Sequence, residues 1–187
     1  MDWILASASP RRKELLGQII PTFTIIPAQG DENADGFSTP ADLVQGLARQ
    51  KAEEVARRCG EGKCVLGSDT VVALGDKVLG KPKSEEDAKA MLRALSDRTH
   101  DVYTGVCIVY PKDGKRCVLV DVCRTEVVFE RLSETFIDDY VKGGSPMDKA
   151  GAYGIQDGGL VKEIKGSYSN VVGLPVELVR EMISKIR

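Results

Sequence analysis

Three cations stand at the start of a predicted helix, where acidic residues are usual. The segment LASASPRRKELL runs from an apolar strand through a turn of small residues into that helix. Ser9 is a typical N-cap and Pro10 a typical first helical residue. Arg11, Arg12 and Lys13 follow at once. Each cation costs about 0.3–1 kcal/mol there, because helix N-termini are partially positive. We therefore expect this corner to bind a polyanion such as a phosphate chain.

An ion pair between Arg11 and Glu14 on the same helix is the simpler alternative. Side chains three residues apart share a helix face, and such a pair stabilises the helix by about 0.2–0.5 kcal/mol. That gain accounts for one arginine only, so phosphate binding is the favoured interpretation.

One acidic residue interrupts an apolar strand. In GSDTVV, Asp69 stands where burying an unpaired charge would be costly. It could bond to turn amides at a strand end, act as a general base, or bind a divalent cation. Asp31 and Glu32, in a polar loop, could supply a second carboxylate. Mg²⁺ needs few protein oxygens when substrate phosphates supply the others.

Two lysines are candidates for the same chemistry. GDKVLGKP, residues 75–82, fits the opening of a P-loop, but Pro82 replaces the Ser or Thr that would bind magnesium. We therefore reject a P-loop and interpret Lys81 as a cation presented rigidly after a hairpin. Lys51 lies on the helix that begins at Pro40, where a solvated surface lysine would be the ordinary expectation.

Glycine-rich segments and one histidine complete the candidates. MDKAGAYGIQ and GSYSNVVGLP could let the backbone approach a ligand, although tight turns without a ligand explain them equally well. His100 is the single histidine, which excludes a multi-histidine metal site. We expect it to be solvated, since DRTHDVY reads as a polar turn entering a strand.

Strand-like and helix-like segments alternate along the chain, which is typical of an α/β fold. Apolar runs predict strands in WILAS, TFTIIPA and CVLGSDTVVALGDKVLG, and a long β-hairpin closed by the turn PKDG. Helical spacing with Thr39 and Ser84 as caps predicts intervening helices. No composition break marks a boundary, so we expect one domain, residues 1–187, with an extended mixed sheet flanked by helices.

Composition excludes several classes of protein. The chain has 26 Lys and Arg against 28 Asp and Glu, a formal charge of −2, so we expect no nucleic-acid partner. No apolar run approaches the roughly 20 residues of a membrane span, and the N-terminus does not resemble a signal peptide. Five cysteines without a C-x-x-C pair argue against a disulfide framework or structural zinc. We expect a cytoplasmic protein with no membrane contact.

Taken together, these motifs resemble the Maf family of nucleoside triphosphate pyrophosphatases. SASPRRKELL, GSDTVV, LGKP, ALSDRTHDVYTGV, PMDKAGAYGIQ and GSYSNVVGLP occur in that family's order and cover nearly the whole chain. The resemblance implies two lobes around a deep nucleotide cleft. It implies hydrolysis of nucleoside triphosphates to monophosphate and pyrophosphate with a divalent metal, Mg²⁺ or Mn²⁺. It also suggests a homodimer, a role in limiting incorporation of non-standard nucleotides, and a link to cell-division arrest.

The resemblance also implies roles for individual residues. Asp69 matches the family's proton-accepting aspartate, and we expect Asp69 and Glu32 to hold the metal. Residues that match the triphosphate site or determine substrate choice are Ser7, Arg11, Arg12, Lys51, Thr70, Lys81 and Gln156. The expected reaction is in-line attack of water on the α-phosphorus, with pyrophosphate leaving.

Substrate preference rests on DKAGAYGIQ, a run typical of the family branch that acts on dTTP and UTP. The Gln156 amide offers one donor and one acceptor, which suits a uracil edge, although a rotated amide would also suit cytosine. One departure is Asp157, since Q-G-x-G is expected after that run. The alternative within the family is a 7-methyl-GTP pyrophosphatase.

Two functional interpretations other than pyrophosphatase activity stay open. The family's association with septum formation allows a regulator that binds division machinery rather than catalysing a reaction. The interpretation as a nucleotide-binding module or kinase has little support, because the P-loop is rejected. Cations clustered around one aspartate favour catalysis.

Overall fold

One mixed sheet of seven strands runs through the computed structural model, which describes residues 1–186. Its strands are β1 (Asp2–Leu5), β2 (Thr24–Ile25), β3 (Lys63–Leu74), β4 (Lys77–Leu79), β5 (Thr99–Lys112), β6 (Lys115–Phe129) and β7 (Val161–Lys165). The helices are α1 (Pro10–Gly17), α2 (Pro40–Arg58), α3 (Glu85–Leu95), α4 (Glu134–Lys142), α5 (Tyr168–Val172) and α6 (Val176–Lys185). The predicted α/β fold with an extended mixed sheet is confirmed.

The strand order is β2-β1-β3-β5-β6-β7, and β4 also pairs with β3. β1 runs parallel to β2 and β3, and every other pairing in the described sheet is antiparallel. β5 and β6 form the predicted long hairpin, turning at Asp113 and Gly114 with positive φ angles of 52° and 69°. β2 covers only two residues of the predicted TFTIIPA strand.

The predicted caps of the first three helices are confirmed. The side chains of Ser9, Thr39 and Ser84 each accept a hydrogen bond from the backbone N–H three residues later. The first turn of α3 is acidic, whereas the first turn of α1 contains no acidic residue in the described helix. The cationic corner therefore lies on a well-capped helix rather than at a frayed end.

A gap along one edge of β3 decides where a ligand can enter. β1 pairs with β3 up to Leu66, and β4 pairs with the same edge from Val72 onward. In the described chain, no strand covers the edge between these two residues. Asp69 lies in this gap, and on its other side β3 continues to pair with β5 through Gly105. The gap therefore presents a polar segment of a rigid strand to an opening in the sheet.

Apolar clusters lie at both ends of β3, which gives the molecule two lobes. One cluster includes Leu66 of β3 and packs against α1 and α6. A second includes Val72 of the same strand and packs against α3 and α4. A third lies beneath α2. The buried polar residues Ser68 and Asp69 stand between the lobes, so the gap is also the boundary between two cores.

Two glycines let α2 lie very close to the sheet. A Cβ on Gly67 of β3 would collide with the Ala48 carbonyl and lie 2.8 Å from the Ala52 nitrogen. A Cβ on Gly105 of β5 would collide with the Val44 carbonyl. Backbone cannot yield as a flexible side chain can, so α2 could not approach this closely over larger residues.

Replacing Gly67 with alanine is expected to lower the free energy of unfolding by about 1–3 kcal/mol, because the added methyl overpacks the helix–sheet contact. Urea denaturation of wild type and Gly67→Ala measures this change. Gly17→Ala is the matched control, since nothing lies within 4 Å of a Cβ at that position. Equal losses in both variants would contradict the close-approach argument.

Candidate active site

One cleft of about 760 Å³ collects all the predicted site residues. Its volume lies within the range of roughly 300–1,000 Å³ that small-molecule sites occupy. The predicted residues in its lining are Ser7, Arg11, Arg12, Glu32, Lys51, Asp69, Thr70, Lys81 and Gln156. The fold thus brings together side chains that are up to 149 positions apart in sequence, from Ser7 to Gln156.

The cleft opens at the gap in β3, and different elements supply its walls. The turn after β1 and the start of α1 bring Ser7 and the two arginines. The segment that follows β4 brings Lys81, which is exposed on the opposite wall. α2 brings Lys51 across the face of the sheet, and a turn before β7 brings Gln156 to the rim.

A buried ion pair occupies the middle of the cleft. Lys51 Nζ lies 2.5 Å from Asp69 Oδ1, and both side chains are at least 85% buried. The same ammonium lies 3.0 Å from Glu32 Oε1, whose side chain is half exposed. Burying Asp69 alone would be costly, so Lys51 offsets the charge that the strand places there. Two carboxylates thus converge on one cationic position.

Arg12 is held by neutral acceptors. Its Nε donates to the Gly173 carbonyl at 2.8 Å, and its terminal nitrogens donate to the Thr70 hydroxyl at 3.1 Å and the Ser7 hydroxyl at 3.5 Å. Burial lowers the pKa of Arg12, and the charge of nearby Asp69 opposes the shift. Arginine nevertheless stays protonated. Its charge has no carboxylate in these contacts, which leaves it available to an anion.

Arg11 points to a different partner from the one that helix spacing suggested. Its guanidinium lies 3.3 Å from Asp148 Oδ2, so the Arg11–Glu14 alternative is wrong in this structure. Asp148 is largely exposed and also lies 3.0 Å from Lys149 Nζ. An exposed pair contributes little to stability. Arg11 can therefore exchange this contact for a phosphate at small cost.

The prediction of a solvated His100 is wrong. His100 is 2% exposed, and its Nε2 lies 2.7 Å from the hydroxyl of Tyr153, a residue of the cleft wall. The rings of Phe129 and Tyr153 pack edge-on against it. Burial lowers the pKa of His100 to about 4. The sequence carried a signal for this burial. His100 and Val102 are two residues apart in β5, so their side chains lie on the same buried face of the sheet.

Sequence reasoning also missed Tyr153 and Asp148 as parts of the cleft. Both lie in the glycine-rich run, which forms three short 3₁₀ turns between α4 and β7 rather than an irregular loop. Two positive-φ residues, Gly151 and Ala152, produce the bend within it. Nothing in the local pattern distinguishes the cleft-facing members of this run, because their direction depends on packing against α3 and α4.

Asp69 and Glu32 are the two carboxylates that the sequence predicts as metal ligands. The described residues contain no group of three or more His, Cys, Asp or Glu side chains arranged to hold a metal. Asp69 and Glu32 do converge on one point, which Lys51 occupies. One or two carboxylates suffice for Mg²⁺ when substrate phosphates and water complete its coordination. The donor set therefore fits a hard divalent cation bound together with a phosphate ligand.

Among the helices of residues 1–186, none has the length and apolar character needed to cross a membrane.

A family model described as Maf-like protein matches residues 2–186. The chain belongs to the Maf-like family. A relative from Thermococcus kodakarensis named dTTP/UTP pyrophosphatase is 49% identical, over 94% of this chain and 92% of that protein. Relatives with the same name from Bacillus cereus and Clostridium perfringens are each 47% identical. Their alignments cover 96% and 94% of this chain and 93% and 92% of those proteins.

Two solved structures share the fold. The Staphylococcus aureus Ham1 protein superposes with a TM-score of 0.54 at 16% identity over the full length of both chains. A HAM1 protein from Coxiella burnetii superposes with a TM-score of 0.57 at 15% identity, over 99% of both chains. At this identity the likeness concerns the fold alone.

Burial of neutral His100 is expected to make stability fall between pH 6.5 and about 4. In that window the unfolded chain binds a proton that the folded chain does not, so the contribution is complete above pH 6.5 and is lost as the pH falls. The lost contribution is about 3 kcal/mol. Urea denaturation across this range, with wild type and His100→Asn, measures it. A wild-type slope equal to that of the variant would contradict the assignment.

Proposed function

We propose that this chain is a nucleoside triphosphate pyrophosphatase that hydrolyses dTTP and UTP to the monophosphate and pyrophosphate. The observation that carries the proposal is the buried contact between Lys51 and Asp69 in the gap of β3. Arg12 and Lys81 line the same cleft, and neither has a carboxylate partner within residues 1–186. A carboxylate beside a triphosphate can accept a proton from an attacking water, and the surrounding cations can bind the phosphates. The names of the relatives support the choice of substrate.

The triphosphate is bound, in this proposal, by the start of α1 and the lysines facing it. Arg11 and Arg12 offer charge-assisted hydrogen bonds to phosphate oxygens, and the helix N-terminus adds a favourable dipole. Lys81 approaches from the opposite wall of the cleft. These contacts explain why cations stand at the start of α1. The attraction of a bound anion exceeds the small unfavourable interaction of the cations with the helix dipole.

Asp69 is the proposed catalytic residue. It lies on a strand paired along its other edge with β5, so the carboxylate has a fixed position in the cleft. It accepts a proton from the water that attacks the α-phosphorus, while the bond from that phosphorus to the bridging oxygen breaks and pyrophosphate leaves. Lys51 compensates the negative charge of Asp69 in the resting site. Once phosphates arrive, the same ammonium can stabilise the charge that develops on the leaving group.

Asp69 and Glu32 are the proposed ligands of a divalent cation, Mg²⁺ or Mn²⁺, bound with the substrate. The cation would neutralise phosphate charge and polarise the bond that breaks. The two lobes and their shared sheet are proposed to act as a single domain, residues 1–187, because β3 and β5 contribute to the cores on both sides of the cleft.

Gln156 is the proposed reader of the base. It is exposed at the rim of the cleft on the turn Ile155–Asp157. Its amide can donate to the O4 carbonyl and accept from the N3–H of uracil or thymine. Discrimination against another base follows when the amide is held in one orientation, because the wrong edge leaves a polar group unpaired.

Asp69→Asn is expected to lower kcat by about 10²–10⁴-fold, because asparagine cannot accept the proton. The assay follows release of monophosphate and pyrophosphate from dTTP and UTP with Mg²⁺ or Mn²⁺, and again after chelation of the metal. Asp113→Asn, in the hairpin turn far from the cleft, is the matched control. Near-normal turnover by Asp69→Asn would exclude the assigned role.

Gln156→Ala is expected to reduce selectivity among bases more than turnover. The ratio of kcat/KM for UTP to that for CTP should fall roughly tenfold, as expected for one lost polar contact of about 1.4 kcal/mol. Competition assays with UTP, CTP and 7-methyl-GTP measure the ratio. If 7-methyl-GTP proves the best substrate of the wild type, the proposed preference is wrong while the reaction stands.

A further inference from the structure

The turn that carries Gln156 is fastened at both ends by one hydroxyl group. The backbone N–H of Gly154 donates to the Tyr140 hydroxyl at 3.0 Å. The same hydroxyl donates to Asp157 Oδ2 at 2.5 Å. Ile155 and Gln156 are the two residues between these contacts. A backbone bond of 3.1 Å from Asp157 N–H to the Gly154 carbonyl closes the turn itself.

Asp157 is further fixed by a second donor. Its Oδ2 accepts from the Ser145 hydroxyl at 2.9 Å, so two side chains from the α4 region meet on one carboxylate oxygen. Burial, and then the hydrogen bond to Asp157, raise the pKa of Tyr140 above its usual value. The hydroxyl therefore keeps its proton at neutral pH and acts as the donor to Asp157.

The same face of α4 also supports the chain just beyond Asp157. The rings of Phe136 and Tyr140, one helical turn apart, stack with 6.1 Å between centroids and 7° between planes. A Cβ on Gly159 would lie 3.1 Å from the Phe136 ring, and a Cβ on Gly154 would lie 2.8 Å from Asp157 Oδ2. A side chain at Gly159 would crowd the Phe136 ring of α4, and a side chain at Gly154 would crowd the carboxylate of Asp157. The packing of this segment therefore depends on glycine at positions 154 and 159.

We propose that Tyr140 and Asp157 are positioning residues that fix the orientation of Gln156 and thereby set the discrimination between uracil-type and cytosine bases. This rests on the proposed function, in which Gln156 reads the base. A free amide rotates to suit either base, since its two ends have opposite polarity. A turn held at both ends fixes the direction in which the Gln156 side chain leaves the backbone, and this limits the rotamers that can bring its amide to the base. The cost of rearranging the turn falls on the base that needs another rotamer.

The first test compares Tyr140→Phe with wild type by calorimetric binding of the α,β-imido analogues of UTP and CTP. We expect the ratio of their dissociation constants to fall roughly three- to tenfold, as expected for loss of one or two hydrogen bonds. In turnover assays, KM for UTP should rise while kcat changes little, because the reacting atoms are not touched. Tyr110→Phe, at the distant end of β5, is the matched control. An unchanged ratio in Tyr140→Phe would overturn the proposal.

A double-mutant cycle separates positioning from general support of the fold. If Tyr140 acts through Gln156, then Tyr140→Phe should have no further effect on the ratio in a Gln156→Ala background. Additive effects of the two substitutions would overturn the proposal, because they would place the influence of Tyr140 elsewhere.

Substitutions of Asp157 provide an independent test of the proposal. Asp157→Asn keeps an oxygen that can accept from both hydroxyls, so it should retain at least about half of the wild-type discrimination. Asp157→Ala removes the acceptor and should resemble Tyr140→Phe. Equal behaviour of the Asn and Ala variants would show that the hydrogen bonds do not matter.

Binding of the analogues also keeps the two proposals apart. If wild type discriminates between them but releases no pyrophosphate from UTP, the proposed catalytic function fails while the cycle still tests positioning. If wild type binds both analogues equally, there is no discrimination to set, and the positioning proposal is overturned whatever the enzyme hydrolyses.

Discussion

The contact between Lys51 and Asp69 depends on how closely α2 approaches the sheet. A carboxylate inside a strand between two apolar cores requires a partner, and the partner must come from the element that covers that face. Glycines at positions 67 and 105 remove the side chains that would hold α2 away. The site is thus built on a helix–sheet contact that is tighter than ordinary side-chain packing would allow.

The second requirement is an opening beside that contact. β1 and β4 share one edge of β3 but leave Gly67–Val71 uncovered, so a ligand can reach the strand without disrupting the sheet. The N-terminus of α1 lies at one side of this opening. Arg12 is held there by a carbonyl and hydroxyls rather than carboxylates, which preserves its charge for an anion. The geometry therefore combines rigidity at the carboxylate with an unsatisfied positive charge next to it.

The proposed base-reading residue lies on a different kind of element. Gln156 lies on an exposed 3₁₀ turn, where the backbone alone would leave its direction variable. Contacts from α4 replace the support that a strand gives to Asp69. Asp157, the residue that departs from the expected family pattern, takes part in this support. This departure beside the proposed base-reading residue is therefore connected to the second lobe rather than to the proposed phosphate site.

Much of this could be predicted from the sequence, because it depends on local chemistry. Ser9, Thr39 and Ser84 mark helix starts, and apolar runs mark most of the strands. The ordered motifs supply seven of the nine predicted cleft residues, and Glu32 and Lys51 lie outside them. The Arg11–Asp148 pair and the hydrogen bond from Tyr140 to Asp157 could not be predicted in this way. Each of these depends on contacts between separate elements, as Arg11 and Asp148 are 137 positions apart. By itself the sequence determined which residues can do chemistry and which segments form most of the helices and strands. It did not predict β7 or α5, and α5 lies within the glycine-rich segment GSYSNVVGLP. Only the tertiary structure decided which of those side chains meet, because strand register and helix packing set the distances between them.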